Sequence, residues 1–183
     1  MKQRNIQVIN YQKKYQNLII KMYNFLFFNS IERCEQGWAM FKNGCYKFNL
    51  EEKDWDEAEK TCNQENGHLT SVLSNEEVNF IRCLQDPAAI HKTWIGAKRI
   101  GNGFEWSDGK GFEFENWRTG QPNNQGGQEN CIEVDSDPGQ SSHDQWNDVP
   151  CSNKRNFVCK KNPVGGMQSV NVYLRSISTM KIP

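Results

Sequence analysis

The sequence has no CxxC pair, no heptad repeat and no apolar run near the ~20 residues that cross a bilayer, and each absence removes a class of protein. None of His68, His91 and His143 stands at zinc-finger spacing from a cysteine pair, so a zinc site has little support. A positive body is also missing. Residues 1–33 carry six basic residues against Glu32 alone, but residues 34–162 carry 14 basic and 21 acidic residues, a net charge of −7. That sign repels phosphate backbones, and nucleic acid is not an expected partner. The longest apolar stretch, Leu18 to Phe28, is broken by Lys21 and Asn24. It predicts no transmembrane segment. Lying downstream of basic residues, it reads as the h-region of a signal peptide; a poorly ordered tail, or a start at Met22, are the alternatives.

What is present indicates a folded extracellular domain. A chain of 183 residues accommodates one core with tails, and six Trp and ten Phe supply apolar bulk to bury. Seven cysteines, at 34, 45, 62, 83, 131, 151 and 159, are many for a cytosolic protein without metal or redox motifs. Disulfides, an oxidising compartment and a secreted protein are the better reading. Seven is odd, so one thiol is left over or pairs with another chain.

Ordered signals begin at Cys34. Alternation of apolar and polar residues from Gly37 to Leu50 around Lys42-Asn43-Gly44 predicts a hairpin that Cys34 and Cys45 could bridge. Asp54 with Glu57 is a capping box opening a helix that carries Trp55, Ala58 and Cys62 and stops at Asn66-Gly67. Ser74 with Glu77 opens a second, with a Val78, Ile81, Leu84 stripe and Cys83, ended by Asp86-Pro87. After His91 come short β-like pieces at Thr93–Gly96, Phe104–Trp106, Phe112–Phe114, Cys131–Val134 and Asn156–Lys160, with an amide- and glycine-rich loop from Thr119 to Gln128 between them. Helices first and strands later predict an α+β fold. Residues 34–162 form the expected domain, residues 1–33 a signal-like or disordered segment, and residues 163–183 an appended tail.

Trp94-Ile95-Gly96, Gln121-Pro122-Asn123, Glu129 two residues before Cys131, Trp146-Asn147-Asp148 three residues before Cys151, and Phe157-Val158-Cys159 follow one another in an order that resembles the C-type lectin domain. Any one triplet is weak evidence; several at consistent spacing are not. The resemblance spans residues 34–162 and implies a fold of two helices with small antiparallel sheets and a long calcium-binding loop. It implies the bridges Cys34–Cys45, Cys62–Cys159 and Cys131–Cys151, the first marking the form with an N-terminal hairpin. Cys83 is then unpaired, and a thiol filling space on the buried side of its helix is favoured over an interchain bridge.

The resemblance also implies one Ca²⁺ site built from Gln121, Asn123, Glu129, Asn147 and Asp148, the same five residues contacting vicinal sugar hydroxyls. The chemistry agrees, because calcium takes six to eight oxygens from carboxylates, amides and carbonyls. Pro122 is expected in the cis form, turning its neighbours to one face. Two departures matter. Mannose-type members carry Glu-Pro-Asn and galactose-type members Gln-Pro-Asp, whereas Gln121-Pro122-Asn123 is a hybrid without a carboxylate. Only Glu129 and Asp148 then bring formal charge, which predicts weak calcium binding and leaves the sugar class open. Between Lys98 and Gly103, where members with an auxiliary site have acidic ligands, this chain has Lys98 and Arg99, and no auxiliary ion is expected. Trp94, Trp106, Trp117 and Trp146 are assigned to packing.

The leading expectation is a secreted, calcium-dependent glycan-binding protein, with self-association useful because single sugar sites are weak. The alternative is a module of the same fold that binds a protein or another surface. An enzyme is not expected: His143 beside Asp144 has no nucleophile, and Cys83 near His91 lacks an activating pattern.

Overall fold

A computed structural model describes residues 17–18, 20–22, 32–85, 92–136 and 143–165. Residues 34–162 form one compact unit, and residues 1–33 with 163–183 form another. In the latter, Arg33 and Val164 pair as an isolated antiparallel bridge. Most of the signal-like segment, most of the tail, Asp86-Pro87 and His91 lie outside the described residues.

Local chemistry sets the first half of the larger unit. Strands β1 (Ala39–Phe41) and β2 (Gly44–Lys53) close a hairpin in which Lys42 takes φ 49°. Helix α1 (Trp55–Gln64) starts where the Asp54 carboxylate accepts from the Glu57 amide at 2.9 Å, and it buries Trp55, Ala58 and Cys62. It stops where Asn66 turns left-handed, at φ 61°, and the Gly67 amide returns to the Cys62 carbonyl. Glu59 then reaches across to the Leu69 amide at 2.7 Å, tying the helix to β3 (His68–Leu69). Helix α2 (Asn75–Cys83) is capped by Ser74, whose hydroxyl accepts from the Glu77 amide. Ile81 on α2 is buried while Val78 and Leu84 pack partly against the core, which turns Cys83 to the opposite side of the helix. Cys83 is exposed, which corrects the expectation of a buried thiol.

The remaining strands are β4 (Lys92–Ile100), β5 (Gly103–Trp106), β6 (Cys131–Asp135), β7 (Gln145–Val149) and β8 (Arg155–Lys161). Among the described residues they join in the order β1-β2-β8-β4-β6-β7, with β3 on β8 and β5 on β4. The pairings are antiparallel except β4 with β8, where Thr93 lies opposite Asn156 and Trp94 opposite Phe157. The last strand thus enters the middle of the sheet, and Cys62–Cys159 pins it to α1 with Cα atoms 5.3 Å apart. Cys34–Cys45 closes the hairpin and Cys131–Cys151 ties β6 to the segment after β7. The arrangement is α+β, with a mixed sheet.

Trp94, Trp146, Phe157, Leu69, Ile95 and Ile132 are fully buried. Gly96 is required at its position, because a Cβ there would strike the Leu69 carbonyl oxygen. Phe112–Phe114, read as a strand piece, is not one: its two rings pack around Trp146, at 6.0 and 5.8 Å, with no partner strand. Trp106 and Trp117 complete that collar, each 5.7 Å from Trp146. All four tryptophans assigned to packing do pack, Trp117 only partly buried. The collar fixes the start of β7, the strand that carries Asn147-Asp148.

Candidate functional site

The long segment between β5 and β6 is laid against β7 by backbone bonds. The Trp146 amide donates to the Asn116 carbonyl at 2.8 Å, and the Arg118 amide to the Trp146 carbonyl at 2.9 Å. A turn follows, with the Gln121 amide donating to the Arg118 carbonyl, and the Gln121–Pro122 bond is cis. Asn124, at φ 46°, leads into a 3₁₀ turn over Gln125–Gly127.

Asp148 is the centre of this loop. Its side chain has no exposed surface. Oδ1 accepts from the Asn123 amide at 3.0 Å, and Oδ2 accepts from the Asn124 amide at 2.8 Å and from Arg99 Nη2 at 2.7 Å. The Gln125 amide is shared between Asn123 Oδ1, at 2.9 Å, and Glu129 Oε2, at 2.6 Å. The Glu129 amide in turn donates to Asn124 Oδ1 at 3.0 Å. Asn123, Glu129 and Asp148 are therefore gathered around a common set of backbone donors.

Gln121 and Asn147 stand somewhat apart. Asn147 Nδ2 donates to Glu133 Oε1 at 3.3 Å, and its Oδ1 accepts from Arg118 Nη2 at 3.3 Å. Gln121 meets this pair through the Arg118 carbonyl, and its own Oε1 is buried without a hydrogen-bond partner. A buried, unsatisfied amide oxygen is costly unless something occupies the place of its missing partner. The donor set, two carboxylates and three amides, suits a hard cation that accepts neutral oxygens. Among the described residues no group of three or more His, Cys, Asp or Glu could hold a metal, so the amide oxygens are needed to complete any shell here.

Four residues join the site that the motif does not contain. Glu133, buried on β6 directly opposite Asn147, holds Arg155 as well, at 2.5 Å. Its signal, an acid between Ile132 and Val134 in an apolar strand, is visible only once β7 is recognised as its partner. Asn124 and Arg118 carry no distinguishing pattern. Arg99 stands in the segment noted for lacking acids, and nothing in the sequence tells that it turns inward while Lys98 pairs outward with Asp56. Away from the loop, His143 Nε2 and Arg82 Nη1 both engage Asp144, at 3.3 and 3.2 Å. Burial pushes the Asp144 carboxyl above its usual range, with His143 and Arg82 opposing.

A disulfide-stapled sheet that presents an oxygen-lined loop is the architecture of a binding module. The Lectin C-type domain family matches residues 51–161, and the chain belongs to that family. It is 38% identical over 138 residues to C-type lectin lectoxin-Lio1 of Erythrolamprus poecilogyrus, covering 73% of this chain and 83% of that protein. It is 36% identical over 134 residues to the versican core protein of Rattus norvegicus, a match of 71% of this chain but only 5% of the length of versican. Among solved structures, it is similar to the C-type carbohydrate-recognition domain of cow CD23, determined in the presence of a GlcNAc2Man3 oligosaccharide. The TM-score is 0.63 at 29% identity, over 72% of this chain and 98% of that one.

Proposed function

We propose that the protein is a secreted, calcium-dependent carbohydrate-binding module whose single Ca²⁺ is held by Gln121, Asn123, Glu129, Asn147 and Asp148. The observation that carries the reading is the buried, unpartnered Gln121 Oε1 beside a loop that already gathers Asn123, Glu129 and Asp148. The ion, when bound, would polarise two vicinal hydroxyls of a sugar. The residues' own task is to hold amide and carboxylate groups where each hydroxyl can both donate and accept. The oligosaccharide present with the CD23 domain is consistent with a glycan ligand here. Three disulfides favour an oxidising, extracellular setting, and no helix among the described residues is long and apolar enough to cross a membrane. Self-association would raise the avidity of such weak sites.

A second reading, a module that binds a protein or other surface through the same loop, is favoured by one observation: Asp148 already has a cationic partner in Arg99. Calorimetry and glycan-array binding with and without chelator decide between them. One calcium per chain and chelator-sensitive retention on glycans are expected. Absence of any calcium heat, with glycan retention absent in both conditions, would replace the first reading with the second.

A further inference from the structure

We propose that Arg99 is a positioning residue of this site: its guanidinium is a resident positive charge that holds the loop from Gln121 to Glu129 in its binding geometry before any metal arrives. What the loop is held for rests on the calcium reading; the holding itself rests on geometry. Arg99 lies near the end of β4, where its amide donates to the Asn130 carbonyl at 2.7 Å. Its side chain forks. Nε donates to the Glu129 carbonyl at 3.1 Å and Nη2 to Asp148 Oδ2 at 2.7 Å, while the guanidinium lies 4.5 Å from the centre of the Phe104 ring.

One cation therefore joins four pieces of chain. It links β4 to β7 through Asp148, and it touches the far end of the loop through Glu129. Through Asp148 it also reaches the near end, because the two carboxylate oxygens accept from the Asn123 and Asn124 amides. A fully buried carboxylate without a counter-charge is strongly disfavoured, so something must neutralise Asp148 in the metal-free protein. Arg99, itself only 16% exposed, does so with a planar fork that can serve two acceptors at fixed spacing. A lysine amine is a point charge and cannot reproduce that fork. Asp148 Oδ1, with one protein donor, keeps a lone pair for an incoming ion. The arrangement separates two roles that a metal would otherwise combine: Arg99 supplies order, and calcium supplies ligand binding.

Hydrogen exchange of the full chain in chelator and in saturating calcium tests this, reading the Asn123 and Asn124 amides against the β6 amides of Ile132 and Val134. In the wild type, Asn123 and Asn124 are expected to be protected in chelator. Arg99→Ala should lower their protection about tenfold in chelator, the scale of a charge-assisted hydrogen bond, leave β6 unchanged and recover in calcium. Arg99→Lys should fall between. The proposal is overturned if wild-type Asn123 and Asn124 gain protection only with calcium, or if Arg99→Ala leaves them as protected as before. Should Arg99→Ala loosen β6 as well, Arg99→Lys decides, and wild-type protection in that variant overturns the fork. Calorimetry on the wild type separates the two claims, since absence of calcium heat alongside the expected exchange pattern would remove the calcium reading and leave Arg99 in its role.

Discussion

Asn147 and Glu133 face each other across β6 and β7, and the Asn147 amide nitrogen donates to Glu133 Oε1 at 3.3 Å. That bond decides which end of the Asn147 amide points toward the loop: Oδ1, which accepts from Arg118 Nη2 at 3.3 Å and keeps a second lone pair. Glu133 is nearly without exposed surface, and its other oxygen holds Arg155 at 2.5 Å.

Glu133→Ala should therefore lose both functions, costing about 2 kcal/mol of stability by chemical denaturation and weakening calcium binding in calorimetry. Glu133→Gln keeps an oxygen for Asn147 but no second acceptor for Arg155. It should lose stability while retaining calcium affinity. Equal calcium affinity in both variants would show that Asn147 does not depend on this orientation.

The exposed Cys83 predicts one rapidly reacting thiol per chain under native conditions, and six unreactive cysteines. Non-reducing peptide mapping should return the three bridges, and Cys83→Ser should shift stability by no more than about 0.5 kcal/mol. Removing the Cys62–Cys159 bridge, which closes a sequence separation of 97, should by contrast cost about 4 to 5 kcal/mol on the chain-entropy estimate. A Cys83 that reacts only after unfolding would contradict its placement on the outer side of α2.

The parts legible in the sequence are those set by local chemistry. The hairpin turn, both capped helices and the stop at Asn66-Gly67 each depend on residues within a few positions of one another. β7 was not legible as a strand, because Gln145, Asn147 and Asp148 are poor strand formers. It is a strand because Trp146 is locked in its aromatic collar and β6 supplies the pairing. The reverse holds at Phe112–Phe114, where alternation mimics a strand but the rings serve that same collar. At the candidate site, Gln121, Asn123, Glu129, Asn147 and Asp148 are named by the resemblance to the C-type lectin domain, not by local chemistry. Arg99 and Asp148 are 49 residues apart, and only the β4-β6-β7 order brings them together.

Asp144 offers a test in pH. Burial raises its folded-state pKa, so the ionised carboxyl penalises the fold above that value. The penalty is relieved as pH falls through the raised pKa, and it is absent below the unfolded value near 3.8. Asp144→Asn removes the titration and suits the left-handed backbone, φ 63°, that Asn tolerates. Relative to wild type the variant should gain stability at pH 7, with the difference shrinking as pH approaches 4. A variant less stable at pH 7 would mean that the pairs with Arg82 and His143 outweigh the cost of burial.

The two ends of Pro122 give the sharpest test, because they differ in environment. Gln121 Oε1 is buried and unpartnered, whereas Asn123 is exposed and its Oδ1 already accepts from the Gln125 amide. Gln121→Glu places a carboxylate in the buried position, which should lower the melting temperature in chelator and raise it above wild type in excess calcium. Asn123→Asp keeps its hydrogen bond and adds charge in a wetter place, so it should leave the chelated protein nearly unchanged. Each adds the missing third carboxylate, and each should tighten calcium about tenfold in calorimetry. Their sugar preferences should diverge, since Gln121→Glu sets an acceptor at one end with an amide donor at the other, the order expected for equatorial mannose-like hydroxyls, and Asn123→Asp sets the reverse, galactose-like order. Retention on mannose and galactose resins, each with a chelator control, reads the result. If both variants tighten calcium and neither gains retention, the ion stabilises the loop without presenting a sugar, and the loop is a contact surface for another kind of partner.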